Sequence, residues 1–163
     1  MTRLPSLGPR GEGWVAIQGV LLVTTAAAGL LGPAWDGAAR LLTSVVGAAL
    51  IAAGLWLAVR GIRDLRDALT PLPYPRPGGQ LVETGVYALV RHPIYGGLVI
   101  AGVGWGLLAA SPVAIGAALV LLGFFELKSR REEAWLEVRF AGYAAYRART
   151  RRLIPWVGRG RPG

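Results

Sequence analysis

The chain has 163 residues, is 53% hydrophobic and carries a formal net charge of +9. It has no cysteine and a single histidine, His92, which excludes disulfides, thiolate metal sites, a cysteine nucleophile and any multi-histidine metal site. High apolar content and high charge coexist because they are segregated along the chain, a pattern of membrane proteins rather than of soluble domains.

Residues 1–12 form an N-terminal tail with Arg3 and Arg10. No charge occurs from Gly13 to Trp35, long enough for a helix to cross the roughly 30 Å hydrocarbon core. This run is too long for a signal-peptide h-region and no clear small-residue cleavage site ends it, so it is expected to be a retained first span. A short loop with Asp36 and Arg40 leads to a second uncharged run, Leu41 to Val59. Residues 60–70, with Arg60, Arg63 and Arg66, are expected to continue this second helix out of the membrane, until Pro71, Pro73, Pro75 and Pro77 stop it.

A third uncharged run extends from His92 to Phe125, counting the histidine as neutral. One helix of that length would measure about 51 Å at about 1.5 Å per residue, too long for a single crossing. Ala110-Ser111-Pro112 interrupts it, and the spacing predicts two short helices, 93–110 and 112–127, forming a hairpin. An interfacial re-entrant hairpin is the alternative. The glycines of the second and third runs, Gly47, Gly54, Gly102, Gly104 and Gly106, are expected to allow close helix packing.

Beyond Phe125 the pattern turns charged but keeps Leu127, Trp135, Leu136 and Phe140, as in a helix leaving the membrane and lying against its surface. Gly142 marks a break. Tyr143 and Tyr146, three apart, share a face of a following short helix. Ile154-Pro155-Trp156 closes the ordered part, and 158–163 is expected to be a disordered tail.

From Lys128 onward there are ten Lys or Arg against Glu132, Glu133 and Glu137. Basic residues concentrate on the cytoplasmic side of membranes, and four spans place the N-tail, the 60–92 connection and the C-tail on that side together. The basic tail is therefore read as facing anionic lipid headgroups, with no nucleic-acid partner. The expected fold is an all-α membrane protein, a single domain of about four transmembrane helices, the last two a short hairpin, followed by C-terminal helices.

Two segments carry candidate chemistry. The first contains Gly85, Tyr87, Arg91, His92, Pro93, Tyr95 and Gly97; the second contains Glu132, Glu133, Leu136, Tyr143, Tyr146 and Pro155. Singly, these residues have plainer readings. Arg91 suits a membrane anchor, Pro93 a first helical turn, the tyrosines an interfacial belt, and Glu132 with Glu133 a solvated helix face. In this order and spacing, with an apolar hairpin between, residues 80–157 resemble the isoprenylcysteine carboxyl methyltransferase and phospholipid methyltransferase family.

The resemblance implies S-adenosyl-L-methionine as methyl donor, with S-adenosyl-L-homocysteine as product, in a non-Rossmann pocket built within 71–157. It implies that Gly79, Gln80, Leu81, Val82, Tyr87, His92, Pro93, Ile94, Tyr95, Glu132 and Glu133 hold the donor. It also implies that Lys128, Tyr143 and Tyr146 meet the substrate, and that Arg91, His92, Lys128 and Glu132 serve catalysis. Lys128 stands where the carboxyl methyltransferases carry an arginine, which puts carboxylate recognition in question because lysine lacks the bidentate fork. The acceptor is expected to be a lipid or other lipophilic molecule reached from the bilayer, with carboxylate, amine and other heteroatoms open, and no metal is expected. The Ala, Gly and Arg content points to a bacterial cell membrane. An NAD(P)H-dependent membrane reductase related to sterol reductases and an inactive scaffold of the same fold are the alternatives.

Overall fold

A computed structural model describes residues 5–70, 72, 74 and 78–155. Pro71, Pro73, Pro75, Pro77, Trp156 and the tail 158–163, all named above, lie outside the described residues. Within them the chain forms five α-helices: α1 Glu12–Leu31, α2 Arg40–Leu65, α3 Pro93–Leu108, α4 Pro112–Arg139 and α5 Tyr143–Arg149. Two 3₁₀ turns, Arg66–Ala68 and Gly85–Ala88, follow α2 and precede α3. No β-strand occurs among the described residues, and Val90 and Arg151 form an isolated parallel bridge.

The hydroxyls inside the apolar stretch of α1 are satisfied by its own backbone, which apolar surroundings demand. In α1 the Thr24 and Thr25 hydroxyls donate to the carbonyls of Val20 and Leu21 at 2.9 and 2.8 Å. The helix ends at Gly32, whose amide donates to the Ala28 carbonyl at 3.1 Å. Between α3 and α4, Ala110 takes a left-handed φ of 51° and Ser111 caps α4 by accepting from the Ala114 amide at 3.2 Å. The Ser111 hydroxyl also donates to the Ala28 carbonyl at 3.0 Å, tying the turn to α1. Pro112 opens α4, where no amide donor is lost.

The tightest helix pair is α2 against α3. Gly47 and Gly54 face Gly104 and Gly97, and each pair is seven residues apart on its helix. A Cβ at Gly54 would lie 2.5 Å from the Gly97 carbonyl oxygen, and one at Gly104 would lie 2.7 Å from that of Gly47. Gly106 instead meets Ile115 of α4, and Gly102 meets Ala118. All five expected glycines therefore sit at helix contacts.

Helices α1, α2 and α4 are long and apolar enough to cross a membrane. Their outer faces expose Val20, Val23, Leu30, Leu42 and Val120, which suits lipid contact. The protein is an integral membrane protein. The expected fourth crossing, α3, has 16 residues, about 24 Å at about 1.5 Å per residue and so short of the roughly 30 Å core. Its partner α4 runs unbroken for 28 residues, past the expected end at 127, carrying the apolar stretch and the charged continuation in one helix.

Candidate active site

The segment before α3 is fixed by charge and backbone geometry. Asp64, near the end of α2, accepts from the Val86 amide at 2.9 Å and pairs with Arg60 at 3.3 Å. Gly85 has a left-handed φ of 62°, and a Cβ there would lie 2.1 Å from an Asp64 oxygen, so only glycine fits. This anchored turn places Tyr87, whose carbonyl accepts from the Tyr146 hydroxyl at 2.7 Å and so links the turn to α5.

The C-terminal segment 150–153 then lies across the start of α3. The amides of Arg91 and His92 donate to the carbonyls of Arg151 and Arg152 at 2.8 and 2.9 Å. Gly96 permits this approach, because a Cβ there would lie 1.9 Å from the Leu153 carbonyl oxygen.

Glu133, 3% exposed, is the hub of a buried charge network. Arg91 Nε donates to Glu133 Oε1 at 2.9 Å. Arg152 reaches both Glu133 oxygens at 3.2 and 3.3 Å and Glu126 at 2.9 Å. His92 Nε2 lies 3.2 Å from Glu133 Oε1. Arg91 also donates to the carbonyls of Arg147 and Thr150. Burial opposes the Arg152 charge, but Glu133 and Glu126 outweigh it and hold its ionisation above the usual arginine range.

Glu132 faces the other way. It accepts from the Tyr95 hydroxyl at 2.9 Å and lies 3.8 Å from His92 Nδ1. The rings of His92, Tyr95 and Phe125 stack nearly parallel, with centroids 5.4 and 4.6 Å apart. Lys128 Nζ sits 4.9 Å from the Tyr95 ring centre and donates to Gln18 Oε1 of α1.

These groups wall a cavity of about 330 Å³, within the range of small-molecule sites. Gly79, Gln80, Leu81 and Val82 line it from the loop, Tyr87 from the 3₁₀ turn, and Arg91, His92, Ile94 and Tyr95 from the start of α3. Lys128 and Glu132 line it from α4, and Tyr143 and Tyr146 from α5. The fold thus gathers both motif segments around one space. Pro93 and Glu133 stand behind the wall: Pro93 packs at the Gly61 position of α2, and Glu133 binds the arginines. Burial pushes the phenol ionisation of Tyr87, Tyr143 and Tyr146 far above its usual range, so all three stay protonated and able to donate.

The sequence does not mark Ile62, Leu65, Ala68, Leu69 and Thr70, which line the wall from the end of α2 and its continuation. Leu136, within the second motif segment, and Phe140 line it from the end of α4. Gln18 comes from α1. Its one sequence signal is that it is the only amide side chain in the run from Gly13 to Trp35. Arg152 gave no signal, because its role depends on a tertiary crossing.

Fold and cavity together define an integral membrane protein with a ligand-sized chamber at the charged ends of its helices. Residues 42–142 match the profile of the phospholipid methyltransferase family, and the chain belongs to that family. Over 80 residues it is 36% identical to protein-S-isoprenylcysteine O-methyltransferase B of Arabidopsis thaliana, an overlap of 48% of this chain and 41% of the relative. The chain therefore spans less than half the length of that relative.

Proposed function

We propose that the protein is an S-adenosyl-L-methionine-dependent methyltransferase acting on a lipophilic acceptor drawn from the bilayer. The observation that carries this reading is a cavity in which both motif segments meet at the polar ends of membrane helices. The residues present fit the donor. Glu132, held by Tyr95, offers a carboxylate to an amino group or to ribose hydroxyls. The faces of Tyr87 and Tyr95 attract a sulfonium through the ring quadrupole. The Gly79–Val82 loop offers backbone groups to a nucleoside edge.

The bound donor supplies an activated methyl group. Transfer by displacement asks the protein for orientation and exclusion of water rather than for a covalent nucleophile. The His92 and Tyr95 rings line one side of the chamber, with Phe125 stacked behind Tyr95. The Arg91–Glu133–Arg152 network fixes the His92 ring from behind. Lys128 and Gln18, contributed by α4 and α1, face the acceptor's polar end. By the positive-inside bias, the cavity lies on the cytoplasmic side of a bacterial cell membrane, where a soluble donor meets a lipid-borne acceptor.

Calorimetry of S-adenosyl-L-homocysteine with the monodisperse chain in detergent tests the reading. Saturable binding is expected. A folded sample that shows none, or that binds NADPH more tightly, overturns it.

A further inference from the structure

Tyr143 and Tyr146 stand one helical turn apart on α5, both line the cavity, and their rings meet edge to face with centroids 5.8 Å apart. Their hydroxyls differ. Tyr146 donates to the Tyr87 carbonyl at 2.7 Å. The Tyr143 hydroxyl is buried with no hydrogen-bond partner among the described residues, although Tyr143 as a whole is only 1% exposed. Folded proteins rarely leave a buried hydroxyl unpaired, because the lost hydration is not replaced. A ligand seated in the cavity that Tyr143 lines is a group that would complete this donor.

The surroundings narrow the ligand group. Burial keeps the Tyr143 phenol protonated, so it is available as a donor. The charged groups acting on it are Glu133, Arg91 and Glu132. Glu133 is already engaged by Arg91, Arg152 and His92, and Glu132 by Tyr95. Arg91 lines the same wall, with its Nε on Glu133 and one terminal nitrogen on the Arg147 and Thr150 carbonyls. A hydroxyl donor beside a guanidinium is a setting for a carboxylate.

We propose that the Tyr143 hydroxyl donates a hydrogen bond to the carboxylate in the amino-acid half of the methyl donor. This rests on the methyltransferase reading above and assigns one contact within it.

The test is calorimetry on the full chain, wild type and Tyr143→Phe, with three ligands. They are S-adenosyl-L-homocysteine, its decarboxylated analogue and 5′-methylthioadenosine, which lacks the amino-acid half. Tyr143→Phe is expected to weaken S-adenosyl-L-homocysteine about tenfold, the loss of one charge-assisted hydrogen bond. Affinity for the other two ligands is expected to stay within about twofold. Because the hydroxyl has no partner among the described residues, the ligand-free variant should melt no lower than wild type, while its stabilisation by S-adenosyl-L-homocysteine shrinks. Unchanged affinity for S-adenosyl-L-homocysteine, or an equal loss with all three ligands, overturns the assignment. So does a ligand-free variant that melts well below wild type, which would mean the hydroxyl serves the fold. A wild-type chain that binds none of the three overturns the methyltransferase reading itself, a different outcome from a wild type that binds and a variant that binds equally well.

Discussion

Glu132 and Glu133 are adjacent in sequence, but the roughly 100° turn per residue of an α-helix sends them to opposite tasks. Glu132 faces the cavity with Tyr95 as its partner; Glu133 faces inward to Arg91 and Arg152. Truncating them should therefore give different phenotypes. Glu133→Ala leaves two guanidinium groups without their buried counter-ion, and a loss of about 3–5 kcal/mol in unfolding free energy is expected, read by thermal melting in detergent. Glu132→Ala is expected to keep the melting temperature within a few degrees while weakening S-adenosyl-L-homocysteine at least about tenfold by calorimetry. Equal melting losses for both variants would contradict this division. Much of the site at this scale was legible beforehand. His92, Tyr95 and Glu132 were marked through the family resemblance of their motif segments, whereas the division between Glu132 and Glu133 was not, since a sequence fixes their separation on the helix but not its rotation against α3. Gln18 was hidden for a related reason: an amide in an apolar run acquires meaning only when α4 brings Lys128 to it.

Among the elements, the α2–α3 seam and the segment across α3 are the contacts most sensitive to added volume. Gly54→Val places side-chain atoms where the Gly97 carbonyl already lies, and a loss of about 1–3 kcal/mol is expected, again read by melting. Gly96→Ala acts on the crossing instead. Its new methyl would displace the Leu153 carbonyl and loosen the segment that holds the Arg91 and His92 amides. Faster tryptic cleavage at Arg149 and Arg152 than in the wild type is the expected result, and an unchanged cleavage rate would show that the segment yields without detaching. The hairpin turn was legible because Ser111 and Pro112 are a cap and a first-turn residue in sequence as well as in space. The glycine contacts were legible as close packing, but their pairing was not. The crossing of 150–153 over α3 was invisible, because backbone hydrogen bonds between distant segments leave no mark on residue type.

At the scale of the whole molecule, the charged ends of α2 and α4, the start of α3 and α5 lie together, while the loop with Asp36 and Arg40 and the Ser111 turn lie at the opposite end of α1, α2 and α4. The native chain has no cysteine, so single introduced cysteines report the side of the membrane directly. With a membrane-impermeant maleimide on intact cells, Asp36→Cys is expected to label. Val138→Cys, at a position 89% exposed, is expected to label only after the cells are opened; the reverse pattern would invert the proposed orientation. The chain also holds 17 arginines and one lysine, Lys128, and that lysine is 1% exposed. Every other side-chain cation is a guanidinium, so an amine-selective reagent has no side-chain target on the folded surface, and the rate at which it modifies Lys128 becomes a clock for how often the chamber opens.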